Sequence, residues 1–145
     1  MIVRVRRIDS NLPLPEYKTA GAVAFDLASR VSLTILPRGI AYIPLNVAIE
    51  IPKGHMIMLA ARSSLHKKGL MLANGVGIVD EDFCGNDDEY HAALYNFTER
   101  PVAIERGTRL LQGIIKKYEK ADWHEVDDLS NPKRGGFGST DKKGP

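Results

Sequence analysis

The sequence predicts an all-β architecture, a β-barrel or a jelly-roll-like sandwich, with one short helical turn and an extended C-terminal arm. Three observations carry that prediction. Short apolar or alternating runs recur at regular intervals along the chain. Prolines 13, 15, 37, 52 and 101 fall between those runs, where a missing amide donor costs no ladder bond. Helical periodicity is almost absent, and many short strands without helices bury their apolar faces against one another.

In order along the chain, residues 2–6 form a short, edge-like run and residues 31–35 alternate cleanly. Residues 41–51 continue as one apolar-rich run punctuated by Pro44 and Pro52, with Val47, Ile49 and Ile51 on one face. Residues 55–61, 90–97 and 110–118 are further strand candidates. Residues 63–68 accommodate one helical turn, with Ser63 or Ser64 as its cap. No repeat or linker interrupts the chain before about residue 127, so residues 1–126 are expected as one β domain. Residues 127–145 are polar and rich in Gly and Pro, as suits an arm.

A chain of 145 residues is long enough to bury a core without disulfides or a structural metal. Its single cysteine, Cys84, excludes a disulfide framework and a Cys-rich zinc site, so a reducing cytoplasm is expected. The net charge of +2 gives no global field that would argue for nucleic acid or an acidic membrane as a partner. Locally, Lys133, Arg134, Lys142 and Lys143 oppose only Asp141 near the C-terminus. Residues 1–8 contain no apolar secretory core, and no stretch approaches the length of a membrane helix.

Several segments carry chemistry rather than packing. Arg134-Gly135-Gly136-Phe137-Gly138-Ser139-Thr140 places a guanidinium, an aromatic ring and two hydroxyls among glycines. It suits an arm closing over an anion that bears a flat ring: amides and hydroxyls meet phosphate oxygens, Arg134 adds charge and Phe137 stacks. A Gly-rich tail is the alternative. Arg62-Ser63-Ser64 follows an apolar strand and offers a planar fork with two short donors, a phosphate grip or else a capped turn. In the segment Asn74-Gly75-Val76-Gly77-Ile78-Val79-Asp80, the glycines let backbone approach a ligand closely. Asn74 offers the donor and acceptor needed to read a base edge, and Asp80 leaves an apolar strand end where it could deprotonate a water. An acidic hairpin tip is the simpler reading.

Asp26 and Gln112 are polar intruders in apolar stretches. An unpaired buried Asp26 would cost several kcal/mol, so it pairs, faces a cation or ends its strand. A calcium loop starting at Asp80 fails, because Cys84 and His91 occupy ligand positions. The four histidines show no ligand spacing, and no Walker A string occurs.

Taken in order, five of these segments resemble the five motifs of the trimeric dUTP pyrophosphatases (dUTPases). They are Ala22-Val23-Ala24-Phe25-Asp26-Leu27, Arg62-Ser63-Ser64-Leu65, the stretch from Gly77 to Gly85 preceded by Asn74, Gly107-Thr108-Arg109-Leu110-Leu111-Gln112, and the glycine arm. The resemblance implies a jelly-roll-like distorted β-barrel and a homotrimer with active sites shared between subunits. It implies Mg²⁺-assisted cleavage of dUTP to dUMP and pyrophosphate. By that resemblance Asp80 activates the attacking water, and Asp26 and Gln112 hold the hydrated metal through water. Arg62, Ser63 and Ser64 grip phosphate. Asn74 with the backbone of Gly75, Gly77 and Val79 reads uracil, and Phe83 lies under the deoxyribose. Arg134, Phe137, Gly138, Ser139 and Thr140 close the site from a neighbouring subunit.

The chain departs from the pattern at five places. Phe83 stands where Tyr is usual, and Cys84 where Arg or Gln is common. Asn86-Asp87-Asp88 lengthens the next hairpin by about three residues. Arg134 lies about two residues closer to Phe137 than the family spacing, and Asp141 replaces a glycine. Two rivals share the fold: a dCTP deaminase, and a non-catalytic nucleotide sensor. The first needs an acid where this chain has Ala93, and the second has no use for a water-positioning Asp80.

Overall fold

The computed structural model describes residues 1–136. Its first half contributes β1 (Arg4–Arg7), β2 (Phe25–Ala28), β3 (Leu33–Ile35), β4 (Ile40–Pro44), β5 (Val47–Glu50) and β6 (His55–Ala61). A 3-10 turn over Leu65–Lys68 leads into β7 (Leu70–Leu72), β8 (Gly77–Val79), β9 (His91–Asn96), β10 (Val102–Ile104) and β11 (Arg109–Lys117). All pairings are antiparallel, as expected of a jelly-roll-like fold. The strands form sheets β1-β5, β3-β10, β2-β11-β6-β8 and β4-β9-β7. Among the described residues these sheets do not join into one closed ladder.

One reason for the break is visible at residues 41–51, expected as a single run. Pro44 ends β4 and Asn46 adopts φ 68°, so the chain leaves the β4-β9-β7 sheet and pairs with β1 instead. Asn46 is buried but saturated. Its side chain accepts from the Asp9 amide at 2.7 Å and donates to the Asp9 carbonyl at 3.1 Å, while its own amide donates to Glu89 at 2.9 Å. These bonds offset the cost of a left-handed non-glycine residue. Val47, Ile49 and Ile51 are buried as expected, and Ala48 is buried with them. The strands that pattern did not isolate, β2, β7 and β10, are three or four residues long, too short for alternation to register.

A single apolar cluster fills the space between the sheets, with Leu27, Ile43, Ile57, Leu70, Leu94, Leu110 and Leu111 fully enclosed. Burial of each contributes about 1.5–3 kcal/mol. A bulge between Arg109 and Leu111 lets both Leu110 and Leu111 enter this core. It also re-aims the strand, so that Gln112 emerges opposite Asp26 on the outer face. One residue further on, Gly113 pairs with Phe25, and a Cβ there would lie 2.5 Å from the Phe25 ring.

After β11 the described chain has neither strand nor helix. It carries Trp123, Val126 and Leu129 exposed. No helix among the described residues is long and apolar enough to cross a membrane.

Candidate active site

The β2-β11-β6-β8 sheet presents the polar residues from its outer face. In β2, Phe25 and Leu27 face the core, so the intervening Asp26 must face outward. It stands opposite Gln112, which in turn stands opposite Ala60. The Asp26 carboxylate accepts Arg62 Nε at 2.8 Å on one oxygen and Arg109 Nη1 at 2.9 Å on the other. Pairing, one of the three outcomes expected of this acid, is therefore realised twice. Gln112 donates its amide to the Ala61 carbonyl at 3.0 Å, which leaves its side-chain oxygen as an acceptor. Ser63 is exposed and Ser64 half-buried, in the turn closed by Leu65 N–H to Arg62 C=O at 2.9 Å. Ser64 takes the N-cap position, but its side chain makes no capping bond, so the capped-turn reading does not hold for it.

A second group lies at the other edge of the same sheet. Gly75, at φ 70°, turns the chain with its amide on Leu72 C=O, and Gly77 opens β8 against Leu59. A cleft of about 320 Å³ follows, lined by Asn74, Gly77, Ile78, Val79, Asp80 and Phe83 together with Leu59, Glu89, Tyr90 and His91. Asn74 and Asp80 are exposed, whereas the Val79 side chain turns into the core and leaves only its backbone to a ligand. The Phe83 amide donates to Asp80 C=O at 3.2 Å, and the Phe83 ring stacks on Tyr90.

Ion pairs brace this region from behind. Arg30 grips Glu89 with two bonds of 2.8 and 2.9 Å. Burial alone would raise the Glu89 carboxyl, but the Arg30 hydrogen bonds, the Asn46 amide and the Arg30 charge hold it below its ordinary value. The Glu81 carboxyl is also lowered, first by the Gly54 amide at 2.6 Å and then by the Tyr118 hydroxyl. Glu81 thereby ties the segment after Asp80 to the turn before β6. The lengthened hairpin folds on itself, with Asp88 accepting the Gly85 amide at 2.7 Å and Arg6 bonding the Asn86 carbonyl. Among the described residues no group of three or more His, Cys, Asp or Glu is placed to hold a metal.

The structure thus brings Asp26, Arg62 and Gln112 together and sets Asn74, Gly77, Asp80 and Phe83 together elsewhere. Three strand spacings and about four residues along β6 separate Asp26 from Asp80, which is roughly 20 Å in one chain. Arg134 is exposed and forms no ion pair among the described residues; Phe137, Gly138, Ser139 and Thr140 lie outside them. Arg109, Glu89 and Tyr90 were not singled out from sequence. Arg109 carried a signal, a cation at the strand start three residues before Gln112, whereas Tyr90 looks like any aromatic strand residue.

Over residues 10–141 the sequence matches the dUTPase family model. This chain belongs to the dUTPase family. It is 36% identical over 145 residues to a deoxyuridine 5'-triphosphate nucleotidohydrolase of Dictyoglomus turgidum, covering 95% of this chain and 97% of that relative. Identity to the Wolinella succinogenes nucleotidohydrolase is 34%, covering 98% and 95%. A dUTPase crystal structure from Streptococcus mutans superposes with TM-score 0.75 at 30% identity, over 82% of this chain and 98% of that one. The fold also matches the dUTPase of Staphylococcus bacteriophage 80alpha, TM-score 0.83 at 20% identity, over 95% and 97%. Membership confirms the jelly-roll-like dUTPase fold expected from the five segments.

Proposed function

We propose that this chain hydrolyses dUTP to dUMP and pyrophosphate by attack of a water on the α-phosphorus, in sites completed between copies of the chain. The carrying observation is the division of polar groups between the two edges of one sheet. A general base works within about 3 Å of the proton it takes, or through one water. Asp80 lies roughly 20 Å from Asp26, to which Arg62 is bonded, so it cannot serve a phosphate gripped by Arg62 of its own chain. Asp80 of one copy beside the Asp26–Arg62–Gln112 group of another satisfies that requirement, which supports sites shared between copies; that there are three copies, a homotrimer, rests on the family resemblance.

In this reading Asn74 and the backbone of Gly75, Gly77 and Val79 take the uracil edge, and Phe83 lies under the deoxyribose. Arg62, Ser63 and Ser64 bind phosphate oxygens. Asp80 accepts a proton from the water as its oxygen bonds to the α-phosphorus; the bond from that phosphorus to the bridging oxygen breaks, and pyrophosphate leaves. The residues fit a hydrated Mg²⁺. Asp26 is a fixed carboxylate already flanked by two guanidinium groups, and the Gln112 amide oxygen accepts no bond among the described residues, so both suit water-mediated contact with an ion that keeps its hydration shell. When bound, the ion neutralises charge on the triphosphate. The exposed Trp123, Val126 and Leu129 support docking of the arm on a neighbouring subunit, delivering Arg134, Phe137, Gly138, Ser139 and Thr140. Deamination is not favoured: Glu89, the acid nearest Ala93, is committed to Arg30.

The test is release of pyrophosphate from dUTP, dCTP, dTTP and UTP with Mg²⁺, with ammonia measured alongside. Pyrophosphate from dUTP, with little from the others, is expected. Ammonia from dCTP, or no pyrophosphate from dUTP, overturns the proposal.

A further inference from the structure

Tyr90 lies in none of the five motifs and takes no part in the proposed proton transfer, yet it walls the cleft. The residue is 2% exposed and its ring stacks on Phe83, with centroids 6.2 Å apart and planes at 28°. Its backbone is clamped on both sides: the amide donates to Val47 C=O at 2.9 Å, and the carbonyl accepts from Leu45 N–H at 2.8 Å. The hydroxyl lies 3.5 Å from the Ile49 carbonyl, and burial pushes its ionisation well above the ordinary tyrosine value. Tyr90 is therefore a fixed, neutral platform. Phe83 is 43% exposed, on the turn its amide closes onto the Asp80 carbonyl. Without a partner that ring would sample several rotamers, and ordering it on substrate would carry an entropic cost.

We propose that Tyr90 is the positioning residue for Phe83, and that the stacked pair fixes the sugar-facing wall at a height that admits a deoxyribose and rejects a 2′-hydroxyl. This rests on the reading of Phe83 as the residue beneath the sugar. An offset aromatic pair is worth roughly three- to tenfold in an equilibrium.

The experiment compares kcat/KM for dUTP and UTP in wild type, Tyr90→Phe, Tyr90→Ile, Phe83→Leu and the Tyr90→Ile/Phe83→Leu double variant. Tyr90→Ile should lower the dUTP-to-UTP ratio by roughly tenfold, Tyr90→Phe should keep it, and Phe83→Leu should add little once Tyr90 is gone. An unchanged ratio in folded Tyr90→Ile overturns the proposal, as does an equal loss for both nucleotides, the mark of a merely structural role. Should Tyr90→Ile prove unfolded by circular dichroism, NMR of ring-labelled wild type decides. Cross-peaks between the Phe83 and Tyr90 rings that persist with dUMP bound support the proposal, and their absence overturns it. If wild type releases no pyrophosphate from dUTP, it is the active-site reading that fails; the ring cross-peaks still report on the pair.

Discussion

Asp80 is one exposed carboxylate on a turn, and its proposed chemistry is separable from binding. Asp80→Asn should leave dUMP affinity nearly unchanged while lowering turnover at least about a hundredfold, as loss of a general base does. Calorimetric titration with dUMP beside a pyrophosphate assay checks both halves, and near-normal turnover would remove Asp80 from the mechanism. Glu89 shows the opposite kind of acid, one used for structure. Glu89→Gln should cost about 2 kcal/mol of stability at pH 7, since charge-assisted bonds to Arg30 and the Asn46 amide are weakened. The folded carboxyl titrates below the reference value of 4.5, so its stabilisation is full above about pH 4.5 and fades as pH falls through the folded value. Urea midpoints of the two proteins should therefore converge towards acid; a gap constant from pH 7 to pH 3 would exclude the Arg30–Glu89 charge as its origin. Both assignments mark a limit of sequence reading. Asp80 could be found because it ends an apolar run within a motif. Glu89 could not, because Arg30 lies 59 residues away and only the fold makes them neighbours.

At the scale of elements, the bulge in β11 decides most. A strictly alternating strand would have sent either Leu110 or Leu111 outward and turned Gln112 away from Asp26. Pattern marked Gln112 as an intruder but could not show why it is tolerated, since the bulge is a property of the pairing with β2. The longer runs, β6, β9 and β11, were legible because their length lets alternation accumulate. The split between β4 and β5 was not, because it depends on Asn46 bonding to Asp9, 37 residues earlier. The close approach of Phe25 to β11 gives an element-level prediction. Gly113→Ala should destabilise the fold by about 1–3 kcal/mol, because the added methyl must displace an enclosed ring. Thermal unfolding measures it, and a melting temperature within a degree of wild type would show that Phe25 has room to move.

For the whole molecule, the separation of Asp26 from Asp80 makes a prediction that no single-chain site shares. Asp80→Asn and Asp26→Asn subunits should each assemble into inactive protein. Unfolded together in equal amounts and refolded, they should recover about a quarter of wild-type activity, because random assembly pairs an intact Asp80 with an intact Asp26 at that frequency. Activity no greater than the sum of the two separate variants would place both carboxylates in one chain's site. The family, its five segments and the expectation of sites shared between subunits were readable from the sequence, but the separation of Asp26 from Asp80 was not. It emerges only when register across β2, β11, β6 and β8 is counted out. One consequence concerns abundance rather than geometry. In the proposed arrangement a lone subunit holds every required side chain yet has no working pair, so turnover per molecule should collapse on dilution and return on crowding the chains together. Expression level, as much as rate constant, would then decide when a cell gains this activity.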